Sequence, residues 1–213
     1  MERRIDLQTW ERRAVFSLFG QGYSPYYDVT VPVDVTELVR LCKAKGLSFY
    51  RAMLYVCTRA VNAVPAFLVR IRPDGVYRVD FASPSYTVAE QNGVFGIMTT
   101  EYIPGEGLSA FCARALAAEK AASGIQADEG QRDDLIFFSS VPWFSFTAVT
   151  QERPLSPDDS FPRILWGKYV WEGERCRLPL SMELNHRLLD GAHIQALLEQ
   201  IQIVIKTLTK EEA

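Results

Sequence analysis

Both histidines of the 213-residue chain fall within residues 182–193, MELNHRLLDGAH. His186 precedes Asp190 by four residues, and Gly191 follows directly, giving one His-x-x-x-Asp-Gly. A neutral imidazole is the side chain best suited to take a proton near neutral pH, because its ordinary pKa lies close to the operating range. His186 is therefore the candidate general base. From the residues alone, His186 can equally be a satisfied buried histidine and Asp190 an ordinary helix N-cap. The apolar run at residues 178–184 reads as a strand, and the amphipathic stripe over residues 192–209 as a helix. The base would thus sit on a tight turn between them, with Gly191 permitting a backbone path that other residues resist. His193, at the start of that helix, reads as a capping or structural histidine.

The chain around this turn has the make-up of one globular domain spanning residues 1–213, with 48% hydrophobic and 23% charged residues. A net charge of -3, with the charges interspersed, offers no basic field for nucleic acid. No apolar run reaches membrane-spanning length, and the opening MERRIDLQTWERR lacks the apolar core of a signal peptide, so a cytoplasmic protein is expected. Cys42, Cys57, Cys112 and Cys176 show no C-x-x-C spacing and read as free buried thiols. Two histidines without ligand spacing argue against a metal site. The lack of a Gly-rich phosphate loop argues against a Rossmann or P-loop nucleotide site.

Along the chain, residues 25–32 (PYYDVTVP) read as a strand, followed by a helix capped by Asp34 or Thr36 and closed by Gly46. Ser48 starts a second helix that ends before Pro65. Strands follow at residues 68–71 and 75–79, then at 85–89 and 94–100, the latter pair joined through Asn92-Gly93. A helix runs over residues 108–122, stopped by Gly124, and residues 124–134 form a polar surface loop. Residues 135–150 are strand-like but interrupted at Ser139, Ser140 and Pro142-Trp143. A Pro- and Asp-bearing loop, residues 151–162, leads to a strand over residues 164–173. This alternation predicts an α/β fold, a two-layer sandwich on a mixed β-sheet.

The motif NHRLLDG resembles the active-site signature of the chloramphenicol acetyltransferase family and of the related dihydrolipoyl acyltransferases, His-His-x-x-x-Asp-Gly or Asp-His-Arg-x-x-Asp-Gly. The resemblance extends over nearly the whole chain. It includes Trp10-x-Arg12-Arg13-x-x-Phe16, the landmarks Phe49-Tyr50, Leu54-Tyr55 and Ala60-Val61-Asn62, and the element Ser139-x-x-Pro142-Trp143. It implies that His186 is the base, that Arg12 pairs with Asp190 to hold the turn, and that Ser139 donates to the oxyanion of a tetrahedral intermediate. It also implies acetyl-CoA as co-substrate, with Trp143, Lys168 and Tyr169 as contacts, and a homotrimer whose sites lie between subunits. The implied reaction moves acetyl to a hydroxyl of a small-molecule acceptor without an acyl-enzyme.

Chloramphenicol is the leading named acceptor, with an unrelated small alcohol or amine as the alternative. Two departures bear on that choice: Asn185 stands where the chloramphenicol enzymes have His, and Phe19 where they place a phenol. Two other readings remain: a dihydrolipoyl-type acyltransferase core, and a trimer of the same fold that binds CoA or a ligand without turnover. The first lacks any lipoyl segment in this sequence, and the second must explain an intact His186, Ser139 and Asp190.

Overall fold

The computed structural model describes residues 2–22, 24–90, 93–121, 132–154 and 156–211. Six strands form the path of one mixed sheet, in the order β2 (Tyr26–Asp34), β10 (Arg175–Asn185), β8 (Arg163–Gly167), β7 (Leu135–Val141), β5 (Ser83–Ala89) and β6 (Phe95–Thr99). The pairs β5–β7 and β7–β8 are parallel and the others antiparallel. A small second sheet joins β1 (Arg3–Arg4), β4 (Gly75–Arg78) and β3 (Val69–Arg72).

Helices α2 (Thr36–Lys45), α3 (Phe49–Asn62), α4 (Leu108–Ala121) and α5 (Gly191–Glu211) bury their apolar stripes in one core. One row of side chains across the sheet, Met98, Tyr86, Phe138, Ile164 and Met182, is almost wholly enclosed. Side chains alternate between faces along a strand, so their neighbours form a second row on the opposite face. That row reads Thr87, Ser139, Leu165, Ser181 and Thr30, and it is largely polar. The two-layer α/β sandwich follows from this division.

Local caps place the helices. Asp34 accepts from the Thr36 amide at 3.0 Å at the entry of α2, and Gly46 closes α2 in the left-handed region at φ 66°. Ser48 accepts from the Arg51 amide to start α3. Asn92 and Gly124, with most of the 124–134 loop, lie outside the described residues.

The strand anticipated over residues 164–173 is split into β8 and β9 (Val170–Glu172), both paired with β10. Trp166 faces Leu180 and Val170 faces Arg177, so four residue steps oppose three. The surplus residue puts Lys168 and Tyr169 outside the ladder, as in a β-bulge. Close packing pins the break: a Cβ on Gly167 would meet the Phe146 ring and Pro179 at 2.9 Å.

The four cysteines are free and buried. Burial pushes the thiols of Cys42 and Cys112 up to about 12 and about 11, so they stay protonated and inert. No helix among the described residues is long and apolar enough to cross a membrane.

Candidate active site

His186 follows the last residue of β10, on a turn built by hydrogen bonds. The amides of Leu188 and Leu189 both return to the Asn185 carbonyl at 3.0 Å, and the His186 amide donates to the Pro25 carbonyl at 2.7 Å. Gly191 does not make this turn: it is the first residue of α5, outside the left-handed region, and a Cβ there would touch nothing within 4 Å. The backbone freedom expected of Gly191 is unnecessary because residues 186–190 already reverse the chain.

The imidazole is clamped between two rings. Phe19 stacks nearly flat on it, with centroids 4.3 Å apart and 10° between planes, and Tyr27 leans on it at 4.6 Å and 36°. The ring is half-buried, and its Nδ1 is enclosed without a hydrogen-bond partner among the described residues. Burial, with Asp190 nearby, pushes the Tyr27 phenol up to about 12 against the pull of Arg12. Tyr27 is therefore a neutral neighbour at any working pH.

Asp190 lies at the centre of the turn's polar support. Arg12 Nη1 donates to its Oδ2 at 2.6 Å, and Arg12 Nη2 reaches the His186 carbonyl at 3.4 Å. The Ala192 amide donates to Asp190 Oδ1 at 3.1 Å, so the same carboxylate also caps α5. Partial burial opposes its charge, but the Arg12 hydrogen bond, His193 and the Ala192 amide outweigh that and hold the carboxyl below its ordinary range. His193 closes back on the turn, with Nδ1 3.1 Å from the Asp190 amide.

Two further residues of the motif anchor the turn sideways. The Asn185 side chain is buried; its amide donates to the carbonyls of Pro157 and Asp159, both at 3.0 Å, and its oxygen accepts from the Arg187 amide. Arg187 lies over the Phe16 ring at 3.9 Å and pairs with Asp158 at 2.6 Å. The residue that departs from the His of the resembling enzymes is thus a latch for the 151–162 loop.

Beside it, Arg153 pairs with Glu183, and Arg153 and Arg163 reach Asp159 at 3.2 and 3.1 Å. Asp28, opposite Glu183 in the ladder, is pushed up to about 6, first by burial and then by the Glu183 carboxylate. These charges fasten the loop over the polar face of the sheet.

Ser139 sits on that polar face, in β7, with its Oγ 3.3 Å from Thr87 Oγ1. Ser139 faces Leu165 and Leu165 faces Ser181, so Ser139 is two strands from β10 and His186 lies five residues beyond Ser181. With strands about 4.8 Å apart and a rise of about 3.4 Å per residue, the two side chains are roughly 20 Å apart within one chain. Arg12, Asp190 and His186 are brought together; Ser139 is not brought to them.

Trp143 and Lys168 lie beyond the C-terminal ends of the parallel strands β7 and β8, and both are exposed. The Lys168 amide donates to the Phe144 carbonyl at 2.8 Å, which ties the two segments. Tyr169 packs edge-on against Phe49 at 5.1 Å. A groove of about 810 Å³ runs between β2 and α5, lined by Tyr27, Val29, Gly191, Ile194 and Leu198 among others. Among the described residues, no group of three or more His, Cys, Asp or Glu could hold a metal ion.

Sequence reasoning missed the Phe19–Tyr27 clamp, the Asn185 latch and the Arg153–Glu183 lattice. The available signal was Glu183 inside the apolar run of β10 and Arg163 at the head of apolar β8, since an enclosed charge must have a partner.

The family described as "Chloramphenicol acetyltransferase" matches residues 2–202. Chloramphenicol acetyltransferase 2 of Escherichia coli is 29% identical over 211 residues, covering 97% of this chain and 98% of that protein. A solved chloramphenicol acetyltransferase superposes with a TM-score of 0.88 at 26% identity, over 96% of this chain and all of that one. The cubic core of a pyruvate dehydrogenase multienzyme complex shares the fold at a TM-score of 0.65 and 20% identity, over 90% of this chain and 86% of that one. The chain belongs to the chloramphenicol acetyltransferase family and is an O-acetyltransferase that takes acetyl-CoA as co-substrate.

Proposed function

We propose that this acetyltransferase acts on a hydroxyl of a small molecule, with chloramphenicol as the leading acceptor and antibiotic resistance as the corresponding role. The observation that carries the assignment of the base is the setting of His186. Its ring is clamped by Phe19 and Tyr27, its turn is tied by the Arg12–Asp190 pair, and its Nδ1 is enclosed. Nε2 is then the nitrogen left for an acceptor.

In this reading His186 takes the proton of the acceptor hydroxyl while the oxygen bonds to the thioester carbonyl carbon. Ser139 donates to the carbonyl oxygen as it becomes negative, where one lost donor typically costs about 100- to 1,000-fold in rate. The intermediate then collapses, the carbon–sulfur bond breaks, and the thiolate recovers the proton from His186. The products are an acetyl ester and free CoA. Exposed Trp143 and Lys168, with Tyr169, offer ring faces and one cation suited to pantetheine and a phosphate.

A donor and a base that serve one carbonyl must both lie within hydrogen-bond reach of the reacting atoms. The roughly 20 Å between Ser139 and His186 in one chain is far outside that limit. A second copy must therefore supply one of them. Two half-sites on different parts of the surface make a head-to-tail contact, which closes into a ring, and a homotrimer is the ring we propose. The cytoplasm, which holds acetyl-CoA, is the compartment this reading requires.

Release of free CoA thiol from acetyl-CoA with chloramphenicol tests the reading. Wild type should turn over and His186→Ala should not. Inactive His186→Ala and Ser139→Ala chains, co-expressed, should regain activity, because a mixed ring contains a site with an intact His from one chain and an intact Ser from the next. An active His186→Ala protein would remove the base, and mixed rings without activity would remove the shared site.

A further inference from the structure

Thr87 is the immediate neighbour of Ser139 on the polar face. It lies in β5 one residue past the Tyr86–Phe138 pair of the parallel ladder, and the two hydroxyl oxygens are 3.3 Å apart. Its backbone is held from the helical layer, where Tyr50 of α3 donates its hydroxyl to the Thr87 carbonyl at 2.7 Å. Tyr50 in turn packs against Trp166 and Tyr86 of the sheet.

A serine hydroxyl has one proton and rotates freely unless something fixes it. If Ser139 donates to Thr87, that proton is spent and cannot meet an oxyanion. If Thr87 donates, Ser139 Oγ is fixed as acceptor, its own proton is free, and the chain of hydroxyls polarises it into a stronger donor. The β-branched Thr87, stiff about χ1 in a strand, suits that task better than a flexible hydroxyl.

We propose that Thr87 is a positioning residue: it donates to Ser139 Oγ and so aims the Ser139 proton at the thioester carbonyl oxygen. This rests on Ser139 being the oxyanion donor. Thr87 makes no contact with the reacting atoms and acts only through Ser139.

The test measures kcat and KM for acetyl-CoA by thiol release with chloramphenicol, in wild type, Thr87→Val, Thr87→Ser, Ser139→Ala and the Thr87→Val/Ser139→Ala double variant. Valine keeps the shape and suits a strand, so the thermal midpoint should hold. Thr87→Val should lower kcat about tenfold, the scale of one neutral hydrogen bond, with KM within about twofold. Thr87→Ser should recover most of the loss, and Thr87→Val should add nothing once Ser139 is gone. An unchanged or higher kcat in Thr87→Val would overturn the proposal, as would the same fold-loss in both Ser139 backgrounds. A Ser139→Ala protein that keeps its kcat would overturn it through its premise, and that result is read separately from the Thr87 variants.

Discussion

Replacing Arg12 with Met separates what the Arg12–Asp190 pair does for stability from what it does for the turn. The substitution keeps most of the side-chain volume and removes two hydrogen bonds, the 2.6 Å bond to Asp190 and the 3.4 Å bond to the His186 carbonyl. A hydrogen bond to a charged group contributes about 1.5–3 kcal/mol. The Arg12 side chain is 13% exposed and that of Asp190 35%, so water replaces part of the loss. The net cost to stability should be about 1–2 kcal/mol.

The effect on rate should be larger, because a shift of about 1 Å in a reacting group can cost about 100-fold. KM for acetyl-CoA should hardly move, since Trp143 and Lys168 lie beyond the far ends of β7 and β8. The pH dependence supplies a check on the partner. Asp190 is held below its ordinary 3.8, so its contribution is complete above that value and is lost as pH falls through the lowered one. The stability gap between wild type and Arg12→Met, measured by denaturant unfolding, should therefore be full at neutral pH and shrink in acid below about 4. A full kcat beside a reduced stability would show that the pair holds the fold and not the base. A gap that stays constant into acid would show that Asp190 is not the partner that matters.

Asn185→Ala should cost about 1–2 kcal/mol in denaturant unfolding, because it removes the two side-chain hydrogen bonds to the Pro157 and Asp159 carbonyls, and it should speed protease cutting within residues 151–162. An Asn185→Ala chain with unchanged unfolding would refute the latch. Asp28, whose carboxyl is raised to about 6 beside Glu183, favours the folded state when protonated and loses that contribution as pH rises through about 6. Asp28→Asn should thus gain thermal midpoint relative to wild type between about pH 5 and about pH 8, whereas parallel curves for the two proteins would show that the Asp28 carboxyl is not raised.

Elements with strong local signals were legible in the sequence. Ser48, Gly46 and the stripe of α5 depend on neighbours within a few residues, so caps and periodicity locate them. The break at Lys168-Tyr169 was not legible, because it depends on how β8 and β9 register against β10, which is a property of strands far apart in the chain. The supposed role of Gly191 failed for a related reason: a glycine can be permitted at a position without being required there. His186, Asp190 and Arg12 were visible through the motif and the resemblance. The clamp by Tyr27 and the latch by Asn185 needed the fold, because one depends on which face of β2 meets the turn and the other on a loop crossing the sheet.

The ties that hold the His186 turn also set when it can form. Arg12 and Asp190 are separated by 178 positions, and Arg187 and Phe16 by 171. Helix α1 (Arg13–Leu18) buries no residue of its own, and six residues are too few for a helix to persist alone. At a synthesis rate of roughly 5–20 residues per second, Arg12 waits roughly 10–35 s on the ribosome before Asp190 is made. A chain that stops before residue 186 can still pair β1 with β4, but its α1 lacks the ties to Arg187 and Asp190. The His186 turn is thus completed late, when two segments 178 and 171 positions apart at these contacts have both been made.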